Sequence, residues 1–201
     1  MIKLQVSRYH IQQNISFHES LWCLVNCDKS SILVGVCYRS PSSTSENNNQ
    51  LLETLRKACS FCANRHILIM GDFNYPQISY KDSSVSTGPE TAPNKFYDTT
   101  QDLFLTQYVT EPTRYIEGAE PSVLDYVYMN EEDLIENVEY EDPVGKSDHV
   151  VLTWSSTVSV DTIPTTQQHK KNYWKGNYAQ INKELVKIDW EKEFSGHNVE
   201  E

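Results

Sequence analysis

Residues 66–70, HILIM, place four apolar side chains in succession, and the chain then changes character at once to Gly71-Asp72-Phe73-Asn74-Tyr75-Pro76. Successive side chains of a strand point to opposite faces, so a run without alternation needs cover on both. The run therefore predicts a strand inside a sheet with a layer on each side, and it places Asp72 and Asn74 where that strand ends. Gly, Asp and Asn are also turn residues. From these residues alone GDFN reads either as an ordinary turn or as a carboxylate–amide pair held at a strand end for chemistry.

The surrounding sequence supplies the layers. SLWCLVN and SILVGVCYR, within residues 20–39, are rich in β-branched and aromatic residues and flank the polar turn signal CDKS, which predicts two strands. After the loop SPSSTSENNN, the residues Leu51, Leu52, Leu55, Ala58, Cys59 and Cys62 recur at three- and four-residue intervals, predicting a helix over roughly 49–64. YKDSSVSTGPETAPN reads as a long loop and NKFYDTTQDLF, near 94–104, as a second helix. LTQYVTEPTRY and SVLDYVYMN read as paired strands around a Gly/Pro-containing loop, and IENVEYED and HVVLTWSST as two more. Helices and strands alternate and then strands run together, which predicts an α/β sandwich with mixed sheets in place of a parallel doubly wound fold. The Ser/Thr/Gln-rich stretch 156–172 reads as a linker, and beyond it, in 173–201, Tyr178, Ile181, Leu185 and Ile188 keep helical spacing.

Composition narrows the class. At 201 residues the chain is long enough for one sizeable domain, and 38% apolar residues fit a globular protein. No apolar run approaches the roughly 18 residues of a membrane span, and the N-terminus lacks a signal-peptide core. With an odd number of cysteines, five, this predicts an intracellular protein, nuclear or cytoplasmic, with reduced thiols. Cys59 and Cys62 form a CxxC and Cys23 and Cys27 a CxxxC, but no His pair completes a zinc set, so core packing is the reading adopted. The net charge of −11 runs against the basic footprint of many nucleic-acid binders; seven carboxylates fall within residues 131–142, and the main basic cluster is HKKNYWK at 169–175.

Three polar groups stand at predicted strand ends, where a rigid strand aims side chains into a crevice. They are Asp72 with Asn74, Asp125 inside the apolar VLDYVYM, and Ser147-Asp148-His149 before VVLTW. Asp125 demands a partner, expected to be a His or Arg, because an unpaired buried carboxylate is costly. Phosphodiester hydrolysis needs a water aimed in line at phosphorus, a carboxylate to orient or deprotonate it, and donors or a cation on the phosphoryl oxygens. Converging strands would bring those groups together.

ILIMGDFN, PTRY…PSVLDYVYMN and GKSDHVVL, in this order and spacing, resemble the endonuclease/exonuclease/phosphatase family, in particular the endonuclease domains of non-LTR retrotransposon polyproteins. The similarity runs from about Leu21 to Trp154. It implies a four-layer α/β sandwich with two mixed β-sheets, of the DNase I type, over residues 1–155, and a metal-dependent DNA endonuclease that nicks target DNA for retrotransposition. In that resemblance Asp72 activates the attacking water and Asn74 hydrogen-bonds the water or the phosphate. His149 contacts the scissile phosphate, with its ring fixed by Asp125, and Asp148 sits by a Mg²⁺ ion. Tyr38, Thr113 and, less directly, Ser147 line the phosphate pocket. DNA and a fused or separate reverse transcriptase are the implied partners, and the segment after 173 resembles the start of the join to such a polymerase.

The family pattern also opens with a strand ending in Asn, then a strand and a helix bearing a metal-binding Glu. Upstream of Tyr38, Asn14 and Glu19 do not follow an apolar strand. The expectation is a domain whose first strands are missing, with an incomplete Mg²⁺ ligand set and little activity by itself. A non-catalytic remnant or interaction module is the alternative; a phosphatase of the same superfamily fits the PTRY and SDH contexts less well.

Overall fold

The computed structural model describes residues 5–8, 17–26, 31–63, 65–156 and 178–188. The chain divides into two compact units, Met1–Ile163 and Pro164–Glu201. The first unit is built on a six-stranded sheet in the order β1-β2-β3-β4-β8-β7. Its strands are β1 (Gln5–Arg8), β2 (Ser20–Asn26), β3 (Ser31–Tyr38), β4 (His66–Asp72), β7 (Thr106–Gln107) and β8 (Asp125–Met129). The pair β3–β4 is parallel and every other neighbour in the sheet is antiparallel. The parallel pair follows from its connection, since a 17-residue helix, α1 (Ser45–Phe61), carries the chain back across the sheet.

HILIM is covered on both faces, as its continuous apolarity requires. Ile67 and Ile69 point into one core with Leu33 and Cys37 of β3, Tyr126 and Tyr128 of β8, Leu51, Leu55 and Ala58 of α1, and Phe96 of the second helix, α2 (Ala92–Asp102). Leu68 points the other way, with Ile32, Val127 and Met129, against Ile135, Val138, Leu152 and Trp154. Those last residues belong to β9 (Ile135–Glu141) and β10 (Val151–Ser156), an antiparallel pair forming a separate small sheet. Among the described residues the layers are therefore helices, main sheet and β9–β10, with the mixing of strand directions confined to the main sheet. β2 lies between β1 and β3, and β1 pairs along it with Val6 opposite Val25.

Some boundaries differ from the sequence reading for local reasons. α1 begins four residues before the predicted start because Thr44 accepts a hydrogen bond from the Asn47 amide at 3.2 Å, a side-chain cap for a polar first turn that periodicity does not register. The predicted loop after Tyr80 pairs as a short hairpin arm, β5 (Ile78–Ser79) with β6 (Ser84–Val85). The CDKS turn, Asn14 and residues 157–177, which hold most of the expected linker, lie outside the described residues. Of the second unit, α3 (Tyr178–Leu185) falls where the helical spacing predicts.

Candidate active site

Strand register assembles the site. Tyr38 of β3 lies opposite Asp72 of β4, and Asp72 lies opposite Asp125 of β8. Three polar residues, separated in turn by 34 and 53 positions along the chain, thus share one end of three adjacent strands. The approach of β3 and β4 there depends on Gly71, whose φ of +144° is open to glycine and whose hypothetical Cβ would lie 1.8 Å from the Cys37 carbonyl oxygen. Tyr38 is 52% exposed, so its ring is free to meet a ligand at this edge.

Beyond Gly71 the side chains alternate. Phe73 and Tyr75 are buried in the aromatic core, where Phe73 lies 5.1 Å from the Phe96 ring and Tyr75 lies 4.9 Å from it. Asp72 and Asn74 stay half-buried at the site. Asn74 takes a left-handed φ of +52°, which lets its amide N–H turn back and donate to Asp72 Oδ1 at 3.1 Å. Its side-chain Nδ2 donates to the Arg39 carbonyl at 2.8 Å, so one of its two amide hydrogens is already used within the turn. Burial, then the neighbouring Asp125 carboxylate, push the Asp72 carboxyl above its ordinary value of 3.8; the His149 ring and the Asn74 hydrogen bonds pull it down. A carboxylate raised in this way is a better proton acceptor than a free one.

Arg39 ties the turn from beneath. It is 6% exposed. Its Nη1 donates to the carbonyls of Phe73 and Asn74 at 3.3 and 3.1 Å, its Nε donates to Asn48 Oδ1 at 2.7 Å, and its guanidinium stacks 4.0 Å from the Tyr75 ring centre. Carbonyl dipoles and an aromatic face thus solvate a buried cation under GDFN.

Asp125 finds the partner its burial requires. His149 Nδ1 lies 2.7 Å from Asp125 Oδ2, which holds the ring and leaves Nε2 as the free nitrogen. Ser147 Oγ accepts from the His149 amide at 3.1 Å and so shapes the approach to the histidine. Thr113 is placed differently from the pocket-lining hydroxyl that the resemblance implies. It is fully buried, and its Oγ1 accepts from the amides of Leu124 and Asp125, both at 3.1 Å. It anchors the start of β8 behind Asp125 and presents no surface to a ligand.

Asp148 also departs from its expected setting. Its Oδ2 accepts from Arg114 Nε at 2.7 Å, and this hydrogen bond is the main reason its carboxyl lies below the ordinary 3.8. One oxygen of each carboxylate is therefore engaged: Asp125 Oδ2 by His149, Asp148 Oδ2 by Arg114, and Asp72 Oδ1 by the Asn74 amide. Glu19, which the sequence does not place as the family's metal-binding Glu, accepts from Asn47 Nδ2 at 3.0 Å. Among the described residues no group of three His, Cys, Asp or Glu could hold a metal ion. A complete protein cage for a hard six-coordinate ion such as Mg²⁺ needs several oxygens in one place, and the described residues alone do not supply it. Of the described cysteines, Cys37 and Cys62 are core residues and Cys59 packs against that core.

The sequence reading passed over Arg39 and Arg114. Arg39 ends SILVGVCYR and Arg114 stands in PTRY, each directly after a candidate site residue, Tyr38 and Thr113. A cation beside each strand end, in a chain of net charge −11, was the available signal.

Comparison with known proteins agrees with this architecture. The model of the endonuclease–reverse transcriptase family matches residues 32–153, more than half of the chain. Among curated proteins no sequence matches significantly. Of solved structures, the endonuclease domain of TRAS1, a telomere-specific non-LTR retrotransposon, aligns with a TM-score of 0.56 at 17% identity. That alignment covers 75% of this chain and 66% of that domain, and it supports the fold alone. An endonuclease/exonuclease/phosphatase family protein from Leptotrichia buccalis (TM-score 0.44, 15% identity, 76% and 62% covered) and the Xenopus laevis APE2 catalytic domain (0.43, 14%, 70% and 58%) are also similar, at scores that carry no argument. The fold is α/β of the DNase I type, and the chain belongs to the endonuclease–reverse transcriptase family.

Proposed function

We propose that this chain carries the water-activating and phosphate-contacting groups of a DNA endonuclease of the retroelement type. The reaction is hydrolysis of a phosphodiester bond in target DNA, leaving a 3′ end from which a fused or separate reverse transcriptase primes. The observation that supports it best is the register that sets Tyr38, Asp72 and Asp125 along one sheet end, with His149 held on Asp125 at 2.7 Å. In this reading Asp72 takes a proton from the attacking water, Asp125 accepts from His149 Nδ1–H, the ring in its doubly protonated form donates from Nε2 to a phosphate oxygen, and Tyr38 meets the same phosphate. The Mg²⁺ of the resemblance is not provided for by the described carboxylates, and none of these roles requires one of them as its ligand. Action on DNA places the protein inside the cell, in nucleus or cytoplasm.

The absence of a three-residue ligand group among the described residues favours a second reading, a non-catalytic module that keeps the scaffold. Incubation of the purified chain with supercoiled plasmid in Mg²⁺ buffer separates the two. The endonuclease reading expects open circles, formed about 10²-fold or more slowly by Asp72→Ala and by His149→Ala. No open circle above buffer, or equal nicking by both variants, would leave the non-catalytic module standing.

A further inference from the structure

Resting on the endonuclease reading, we infer that Arg114 contacts a DNA phosphate at this site, and that Asp148 is the carboxylate that positions it and is not a metal ligand. The placement of Arg114 is fixed by its backbone. Its amide and that of Thr113 both donate to the Ser122 carbonyl, at 3.0 and 2.9 Å, and Arg114 lies directly opposite His149 across an antiparallel bridge. The Tyr115 amide donates to the Asp148 carbonyl and the Val150 amide to the Thr113 carbonyl, which closes the ladder on both sides of that bridge. The guanidinium is therefore anchored beside the catalytic histidine.

Its chemistry is only partly used. The bond to Asp148 takes Nε, and among the described residues no other side-chain partner of Arg114 is found, which leaves the terminal N–H groups of the fork. The side chain is 37% exposed. Arg39, the other guanidinium at this strand end, is buried and spent on carbonyls, so it supports the turn and does not reach a polyanion. A planar fork held at one nitrogen by a carboxylate and open at its far edge is suited to bidentate contact with phosphate. In a chain with net charge −11, a cation preset in this way would orient the DNA at His149 and leave most of the protein surface acidic.

The test is DNA affinity as a function of salt, measured by fluorescence anisotropy with the full chain, a short labelled duplex and EDTA. Each phosphate contact adds about 0.9 to the slope of log affinity against log salt, or about 3.5-fold in affinity between 50 and 200 mM. Arg114→Ala is expected to reduce the slope by about one, Arg114→Lys to restore it, and Lys57→Ala on α1 to leave it unchanged, with all variants checked for wild-type circular dichroism. Asp148→Asn is expected to lower DNA affinity more in the wild-type background than in Arg114→Ala, and calorimetric titration with Mg²⁺ is expected to give the same heat for it as for the wild type. A wild type that binds DNA with an unchanged slope in Arg114→Ala would overturn the phosphate contact alone. Mg²⁺ heat present in the wild type and absent in Asp148→Asn would overturn the positioning role. A wild type that binds no DNA at any salt would remove the endonuclease reading together with this one.

Discussion

Thr113→Val replaces the buried hydroxyl behind Asp125 with a methyl of nearly the same volume. The native Oγ1 accepts from two amides, those of Leu124 and Asp125, and the residue has no exposed surface through which water could replace it. Each buried donor left unpaired costs about 1–3 kcal/mol, so the variant should lose about 2–6 kcal/mol. Set against a total of about 5–15 kcal/mol for a domain, that is a large fraction. Thr113→Ser makes the opposite change: it keeps the oxygen and loses one buried methyl, worth about 1 kcal/mol. Packing volume alone would rank Val as the milder substitution, whereas the hydrogen bonds rank Ser as the milder by at least about 1 kcal/mol. Urea unfolding followed by tryptophan fluorescence, with m-values compared across the three proteins, reads this order directly. If Thr113→Val unfolds at the wild-type midpoint, or later than Thr113→Ser, the anchoring role assigned to Thr113 is wrong.

Asp72 and Asp148 should shift stability with pH in opposite directions. The Asp72 carboxyl is raised in the folded state, so its contribution is present below 3.8 and is lost as pH rises through the folded value; Asp72→Asn should therefore be more stable than wild type at pH 7, with the gap closing toward pH 4. Asp148 is lowered by Arg114, so its contribution is present above 3.8 and lost as pH falls through its folded value, and Asp148→Asn should be the less stable protein at neutral pH but not in acid. Denaturation midpoints at pH 7 and 4 for Asp72, and at pH 7 and below 3.8 for Asp148, decide each case, and a gap of constant size across pH would contradict the assignments. Burial raises the thiols of Cys37 and Cys59 to about 12 and that of Cys62 to about 11, so iodoacetamide at pH 8 should label none of the three until urea unfolds the chain. Rapid native labelling of Cys37, located by peptide mass mapping, would contradict its place in the core.

What could be read along the chain was whatever depends on near neighbours. The unbroken HILIM run already demanded cover on both faces, the three- and four-residue spacing of Leu51, Leu55 and Ala58 already marked a helix face, and Asp125 in an apolar strand already called for a partner. Polar capping was less legible, because Thr44 stabilises the start of α1 through one hydrogen bond that leaves no periodic trace. Side-chain partnership at the site was beyond reach. Asp125 and His149 are 24 residues apart, Arg114 and Asp148 are 34 apart, and only strand register brings either pair within 2.7 Å. Motif spacing assigns residue types to an ancestral plan, so Asp148 reads as a metal ligand and Thr113 as a pocket hydroxyl. A carboxylate, however, takes its role from the donor that reaches it first, and a hydroxyl from the amides around it. Here tertiary packing delivered a guanidinium to Asp148 and two backbone amides to Thr113. Strand, helix and the identity of the polar groups were thus set by local sequence, and the partner each group takes was set by which distant strand the fold laid beside it.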